Sequence, residues 1–305
     1  MPAQTQQHAH HDFDFSAWAQ QQLAQVEQAL TDWVGVGAPA GLGEVMRYAV
    51  LDGGKRLRPL LVLAAAQAVG GHGQAALRAA CAVELIHAYS LVHDDMPCMD
   101  NDVLRRGKPT VHVAFGEARA LLAGDALQAQ AFELLTPHED QVPAAIQAQC
   151  CRILALAAGA QGMAGGQAID LASVGRQLTE AQLRQMHSLK TGALLQASVQ
   201  LGAACGQVDA QTLSALHSYA QALGLAFQVV DDVLDVVADA ATLGKTPGKD
   251  AACDKPTYVA LLGLEDAQAL AQDLLVQACE ALQRSGLADT RALLALAHQV
   301  VGRSH

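Results

Sequence analysis

Three carboxylates fall within seven residues at Asp94-Asp95-Met96-Pro97-Cys98-Met99-Asp100, directly after a long apolar run. A second set, Asp231-Asp232-Val233-Leu234-Asp235, closes another apolar run far downstream. An apolar helix that ends in clustered aspartates costs folding energy unless something neutralises the charge. Asp231 and Asp235 share one helical face. With Asp232 they crowd like charges at a helix C-terminus, where the helix dipole opposes them. Hard oxygen donors that leave room for water and phosphate suit Mg2+. The two clusters are therefore expected to face each other across a cavity and to hold Mg2+ ions and, through them, a diphosphate.

Basic residues of matching chemistry accompany the acids. In Gly53-Gly54-Lys55-Arg56-Leu57-Arg58-Pro59 the glycines break a helix and Pro59 suits the first turn of the next. Cations placed there oppose the helix dipole, whereas an anion is welcome at that position. Arg105 and Arg106 follow the first acidic cluster, and adjacent guanidiniums clamp phosphates well. Glu84, His87 and Asp94 lie near one face of a single helix. Lys190-Thr191-Gly192 sits inside a helical pattern, where Gly192 marks a break that turns Lys190 and Thr191 into a site. The segment 238–256 is polar, carries Lys245, Lys249 and Lys255, and reads as a lid over phosphates.

These residues need a scaffold, and the composition supplies one. The 305 residues are 51% hydrophobic and only 4% aromatic, with abundant Ala and Leu, the strongest helix formers. No run has strand-like alternation. The expected fold is all-α. Helices are anticipated at 15–33, 42–51, 57–69, 74–92, 111–135, 142–159, 213–237, 261–287 and 291–301, with a possible interruption at Gly124-Asp125 and a further helix starting at Thr179-Glu180. Residues 1–14 read as a disordered polar tail rich in His, and 15–305 as one domain. The net charge of −11 argues against nucleic acid as a partner. The cysteines form no paired framework, and apolar runs are interrupted before the ~18 residues a membrane span requires. A soluble cytoplasmic protein without a membrane span is expected.

One geometric difficulty concerns the first cluster. Asp94 and Asp100 would diverge by about 240° on a regular helix. Pro97 lies between them and removes a backbone donor, so it must bend or bulge the helix. That distortion is expected to bring Asp100 back beside Asp94.

Taken in order, the motifs resemble the trans-isoprenyl diphosphate synthases. Asp94-Asp95 through Asp100 with Arg105-Arg106 is similar to the first aspartate-rich motif of that family, and Asp231-Asp232 through Asp235 to the second. Gly53-Gly54-Lys55-Arg56-Leu57-Arg58-Pro59, Lys190-Thr191-Gly192 and Phe227-Gln228 match in order and spacing, over about residues 40–300. Ala88-Tyr89-Ser90-Leu91-Val92-His93-Asp94-Asp95 most resembles the bacterial farnesyl diphosphate synthases. The resemblance implies a single large helical bundle around a deep central cavity, and a homodimer. It implies three Mg2+ ions, with Mn2+ as a substitute, held by Asp94, Asp95, Asp100, Asp231, Asp232 and Asp235. Arg105, Lys190, Thr191, Gln228, Lys245 and Lys255 would surround an allylic diphosphate, with Lys190, Thr191, Gln228 and Lys245 as the catalytic set. Lys55, Arg58, His87 and Arg106 would hold isopentenyl diphosphate.

The implied reaction condenses isopentenyl diphosphate with dimethylallyl and then geranyl diphosphate, giving farnesyl diphosphate. Ionisation, condensation and proton elimination need no protein nucleophile, and an apolar cavity protects the cation from water. The growing tail would run away from the metals, past Tyr89 and Ser90, about one turn before Asp94. Tyr89 is bulky enough to be a floor. The alternatives are a synthase of C20 or longer products and, from another class, a non-catalytic subunit of a prenyl synthase complex. A terpene cyclase normally mixes Asn, Ser and Glu in its second motif, and a His-Asp phosphohydrolase leaves that motif unexplained. No role is assigned to Cys98.

Overall fold

Asp14 opens the first helix: its carboxylate accepts the Ala17 amide at 3.0 Å, and α1 runs over Phe15–Trp33. The structure, a computed structural model, describes residues 13–51, 53–138, 141–176, 178–237 and 257–303. Beyond α1 come α2 (Leu42–Val50), α3 (Leu57–Ala68) and α4 (Gly73–Asp94). A two-residue hairpin follows, with β1 (Leu104–Arg105) antiparallel to β2 (Lys108–Pro109). Then come α5 (Val111–Phe115), α6 (Glu117–Leu135), α7 (Ala144–Ala158), α8 (Met163–Ser173) and α9 (Glu180–His187). A π-turn at Ser188–Gly192 leads into α10 (Ala193–Ala204), and α11 spans Ala210–Val237. The final helices are α12 (Tyr258–Leu262), α13 (Leu264–Arg284) and α14 (Arg291–Val301).

The all-α expectation holds. Most helices fall where the apolar spacing put them, because a stripe repeating every three to four residues must be buried against a neighbour. Thr179 caps α9 through a reciprocal pair with Gln182. The expected tail lies almost wholly outside the described residues, and the segment read as a lid lies entirely outside them, Lys245, Lys249 and Lys255 included.

Two apolar clusters form the core. One gathers α4 with α2, α6 and α7; the other gathers α11 with α13 and α14. α3 and α10 belong to both. Val62, Leu63 and Ala66 of α3 enter the first cluster, and Leu60, Leu61, Ala64 and Ala65 the second. On α10, Leu194, Ala197 and Leu201 face one way, and Leu195, Val199 and Ala203 the other. A helix that is apolar all round is buried all round, and these two form the partition. The helices that end in aspartates, α4 and α11, therefore belong to different halves of the core.

Several local expectations change. The helix does not bend through Pro97; α4 stops at Asp94, and the Asp100 amide turns back to donate to the Asp94 carbonyl at 2.8 Å. The interruption in 111–135 falls at Gly116, where the chain has φ 87°, while Gly124 lies inside α6. A Cβ at Gly124 would sit 2.0 Å from the His93 ring, so this glycine makes room for α4. By length and composition α4 alone among the described helices is apolar enough to cross a membrane, but 72% of its apolar window is buried in the core. Length and hydropathy do not separate a spanning helix from a central one.

Candidate active site

α4 delivers Tyr89, Ser90, His93 and Asp94 to a cavity of about 380 Å3, which Arg58 and His87 also line. α8 supplies Met163, Gln167 and Leu171 to the same space, and the π-turn supplies Lys190 and Thr191. The lining thus combines charged and polar groups with the side chains of Tyr89, Met163 and Leu171. Tyr89 is 8% exposed, shares a hydrogen bond with Gln128, and packs edge-on to His93 with ring centroids 5.7 Å apart.

The π-turn is how the sequence presents Lys190 and Thr191. Gly192 does not break the helix; one wide turn adds a residue and rotates the pair toward the cavity. Lys190 Nζ lies 2.5 Å from Asp170 on α8 and is close enough to Asp94 to favour its ionised form. A Cβ at Gly166 would fall 2.1 Å from the Lys190 backbone nitrogen, so α8 rests directly on the turn. The Thr191 hydroxyl donates to Gln228 Oε1 at 3.1 Å, and Gln228 Nε2 donates to Asp232 Oδ1 at 2.8 Å. The turn thus connects the ends of α4 and α11. The cavity wall includes Asp94 but none of Asp231, Asp232 or Asp235.

The acidic residues are not equivalent. Asp94 is pushed up to about 6, chiefly by burial and further by Asp100, against the pull of Lys190. Asp95 is buried, with Arg105 Nε 2.9 Å from both its oxygens and Nη2 2.6 Å from one. Two residues expected to meet metal and diphosphate separately are thus paired with each other. Asp232 is also buried: one oxygen accepts from Gln228 and the other from the Tyr258 amide at 2.8 Å, at the start of α12. Both contacts join α11 to neighbouring protein groups at the carboxylate expected to meet metal. Asp231 is the most open of the second set, with a 44% exposed side chain, and Asp235 is 5% exposed.

A cationic group forms beside them. The Arg106 guanidinium donates to the Gly53 carbonyl at 2.7 Å and lies over Gly54, which adopts φ 116° and would meet the guanidinium with any Cβ. Arg58 and Arg106 repel each other's charge, and the Arg58 Nε is buried with no partner among the described residues. His87 is held well below the ordinary histidine range, first by burial and then by Arg58 and Arg106, and is neutral at pH 7. Lys55 is depressed by burial and by Arg303 and raised by Asp231. Of the set expected at one diphosphate, Arg58, His87 and Arg106 thus share one electrostatic neighbourhood, while Lys55 feels Arg303 and Asp231.

Two features were not legible beforehand. Arg56 faces away from this group: it is 3% exposed and bonded to Glu27 at 2.6 Å and Glu84 at 2.8 Å. Glu84 therefore leaves the polar stripe of α4 and becomes a buried structural partner. Arg303, near the chain end, lies 3.9 Å from Asp231 and over the Phe227 ring at 4.1 Å. No motif surrounds Arg303, so no spacing could have marked it. Cys98 is exposed and gains no role.

Comparison with known proteins agrees with this geometry. Residues 39–295 match the family described as Polyprenyl synthetase. Farnesyl diphosphate synthase of Escherichia coli is 49% identical over 265 residues, covering 86% of this chain and 89% of that protein. Geranylgeranyl pyrophosphate synthase 7 of Arabidopsis thaliana, a chloroplastic protein, is 44% identical over 299 residues, covering 97% and 86%. The crystal structure of an FPP/GFPP synthase from Zymomonas mobilis superposes with a TM-score of 0.83 at 40% identity, covering 94% and 98% of the two chains. With that family match over most of its length and relatives of this identity, this chain belongs to the polyprenyl synthetase family.

Proposed function

We propose that this protein condenses isopentenyl diphosphate with dimethylallyl and then geranyl diphosphate and releases farnesyl diphosphate. The observation that carries the C15 reading is Tyr89, a buried aromatic ring on the cavity wall one turn before Asp94. It supports a floor reached by a farnesyl chain.

The donor chemistry fits Mg2+. Asp94 and Asp100 approach closely enough to repel, and Asp94 is also desolvated, a combination that a divalent cation relieves. Among the described residues no three His, Cys, Asp or Glu side chains converge on one point. Asp94, Asp100, Asp231 and Asp235 are the residues that would hold the ions, up to three by the family pattern. Bound Mg2+ supplies charge neutralisation for a departing diphosphate.

The protein's own groups do the rest. Lys190 and Thr191, with Gln228 behind them, and Lys245 with Lys255 orient the allylic diphosphate. Arg105 stands beside it through Asp95. Lys55, Arg58, His87 and Arg106 bind isopentenyl diphosphate, His87 as a neutral donor. Apolar walls keep water from the cation. The C2 proton leaves to an oxygen of the released diphosphate, so no protein nucleophile or base is required.

We further read the protein as a cytoplasmic homodimer. Exposed Leu121 and Leu122 on α6 and Leu156 on α7 support a covered face, and free Cys81, Cys150 and Cys205 support a reducing compartment. The function is tested by incubating the protein with Mg2+, labelled isopentenyl diphosphate and each allylic primer, then sizing products. C15 is expected. C20 or longer products would replace the specificity, and no product from any primer would point to a non-catalytic subunit.

A further inference from the structure

Two aromatic rings of α4 line the cavity, Tyr89 and His93, four residues apart on one helical face. They rest on Leu121, Gly124 and Gln128 of α6, which are spaced by three and four residues along one stripe. Tyr89 shares a hydrogen bond with Gln128, and His93 Nε2 lies 3.2 Å from the Leu121 carbonyl. Gly124 is buried between these contacts and faces the His93 ring. A glycine inside a helix costs about 1 kcal/mol against alanine, so its place here calls for a reason.

The reason is the imidazole. A Cβ at Gly124 would overlap His93 Nε2 and lie 2.5 Å from Cδ2 and 2.7 Å from Cε1. Three ring atoms fall inside van der Waals contact, so a small rotation of the ring does not clear the overlap. All three belong to a side chain. Gly166 and Gly202 differ, because a Cβ at either would meet the backbone of Lys190 or Val62. Those two glycines let helices approach, whereas Gly124 gives one ring its place. A methyl group at 124 would therefore move the His93 ring and leave the helices where they are. The α6 backbone holds one side of that ring and Tyr89 another, with centroids 5.7 Å apart. What stays open to it is the cavity of about 380 Å3 that it already lines.

Resting on the prenyl-transfer reading above, we infer that Gly124 is a positioning residue for chain length: it seats the His93 imidazole against α6 and so keeps it out of the space that receives the prenyl tail. In that reading Tyr89 is the floor, and His93 stands one turn nearer Asp94 on the same face of α4. Gly124 touches neither diphosphate nor metal and acts only through the ring. Displacing the ring narrows the cavity without altering the groups that bind the diphosphate. A tail that fills more of the cavity then loses more than a short one, which separates this role from a general packing role.

The test compares four full chains with Mg2+: the unaltered protein, Gly124→Ala, His93→Ala and the double variant. Affinity is measured for the thiolodiphosphate analogues of dimethylallyl and geranyl diphosphate, whose C–S bond does not ionise. Gly124→Ala should lose about tenfold for the geranyl analogue and less than about twofold for the dimethylallyl one. In turnover with isopentenyl diphosphate it should accumulate C10 product at the expense of C15. The double variant has no imidazole to displace, so its affinity for the geranyl analogue should lie within about twofold of that of His93→Ala. Equal losses for both analogues in Gly124→Ala would reduce the glycine to packing and overturn the inference. A double variant that stays impaired would overturn it too. If Gly124→Ala does not fold, His93→Trp takes its place. An indole is too large for the same seat and should give the same length-dependent loss, and an unchanged ratio of the two affinities would overturn the inference. If the length-dependent loss is seen but the unaltered protein forms no prenyl product, the proposed function fails and the inference stands. If the unaltered protein binds neither analogue, both fail.

Discussion

The Thr191 hydroxyl donates to the amide oxygen of Gln228 across 3.1 Å, from a π-turn to the helix that ends in the second acidic cluster. Because Gln228 passes the connection on to Asp232, and Asp232 to the Tyr258 amide, one hydrogen-bonded chain ties the π-turn to the start of α12. Gln228→Leu should leave buried Asp232 short of a donor. A destabilisation of about 1–3 kcal/mol is expected, seen in denaturant unfolding, with a drop in turnover. Unaltered stability would mean that Gln228 acts on substrate alone.

Tyr89→Ala should lengthen the product to C20 or beyond. The ring is buried on the cavity wall, and its removal opens space toward Gln128 and α6. Chromatography of dephosphorylated products gives the answer directly. A variant that still stops at C15 would move the floor elsewhere.

Asp94 separates stability from function. Its carboxyl is raised to about 6, so its charge opposes folding at neutral pH, and stability should increase as pH falls from about 6 toward the ordinary carboxylate range. Asp94→Asn is therefore expected to unfold at an equal or higher temperature without ligand, yet to lose at least about a hundredfold in turnover at saturating Mg2+. Near-normal turnover would remove Asp94 from the site.

Arg56 and Arg58 stand two residues apart in sequence and should behave oppositely. Arg56 is buried against Glu84 at 2.8 Å, and stranding one partner of such a pair costs about 3–5 kcal/mol. Arg56→Met should show that loss in chemical denaturation. Arg58→Met should fold normally and raise the KM for isopentenyl diphosphate. Matching phenotypes would dissolve the distinction.

His87 gives a pH signature. The folded protein holds it well below its ordinary value, whereas the unfolded chain takes up a proton near pH 6.5. The unfolded state then binds more protons, so stability should fall as pH drops below about 6.5. His87→Gln should flatten that part of the profile. Parallel curves for the two proteins would show that other groups set the acid limb.

Much of the fold was open to reading because helix periodicity is local. The starts of α1 and α14 and the Thr179 cap need only their own residues and the few that follow. The ends of helices were harder. Pro97 signalled a distortion, but whether the chain bent or stopped depended on backbone hydrogen bonds that Asp100 and Asp102 make to Asp94 and Asp95. Gly124 looked like a break because its neighbour His93 on α4 is invisible along the sequence.

The sequence by itself determined the helical class, the presence of residue types suited to a hard cation and a diphosphate, and the order in which they occur. Those follow from side-chain chemistry and from spacing within single helices. Only the tertiary structure decided which groups meet within and beside each cluster. Asp95 and Arg105 neutralise each other, Asp232 caps a distant helix, Arg56 turns inward to Glu84, and Arg303 arrives near Asp231. The physical reason is common to all: a charge or amide is assigned its work by the nearest groups in space, and those come from parts of the chain that no local pattern connects.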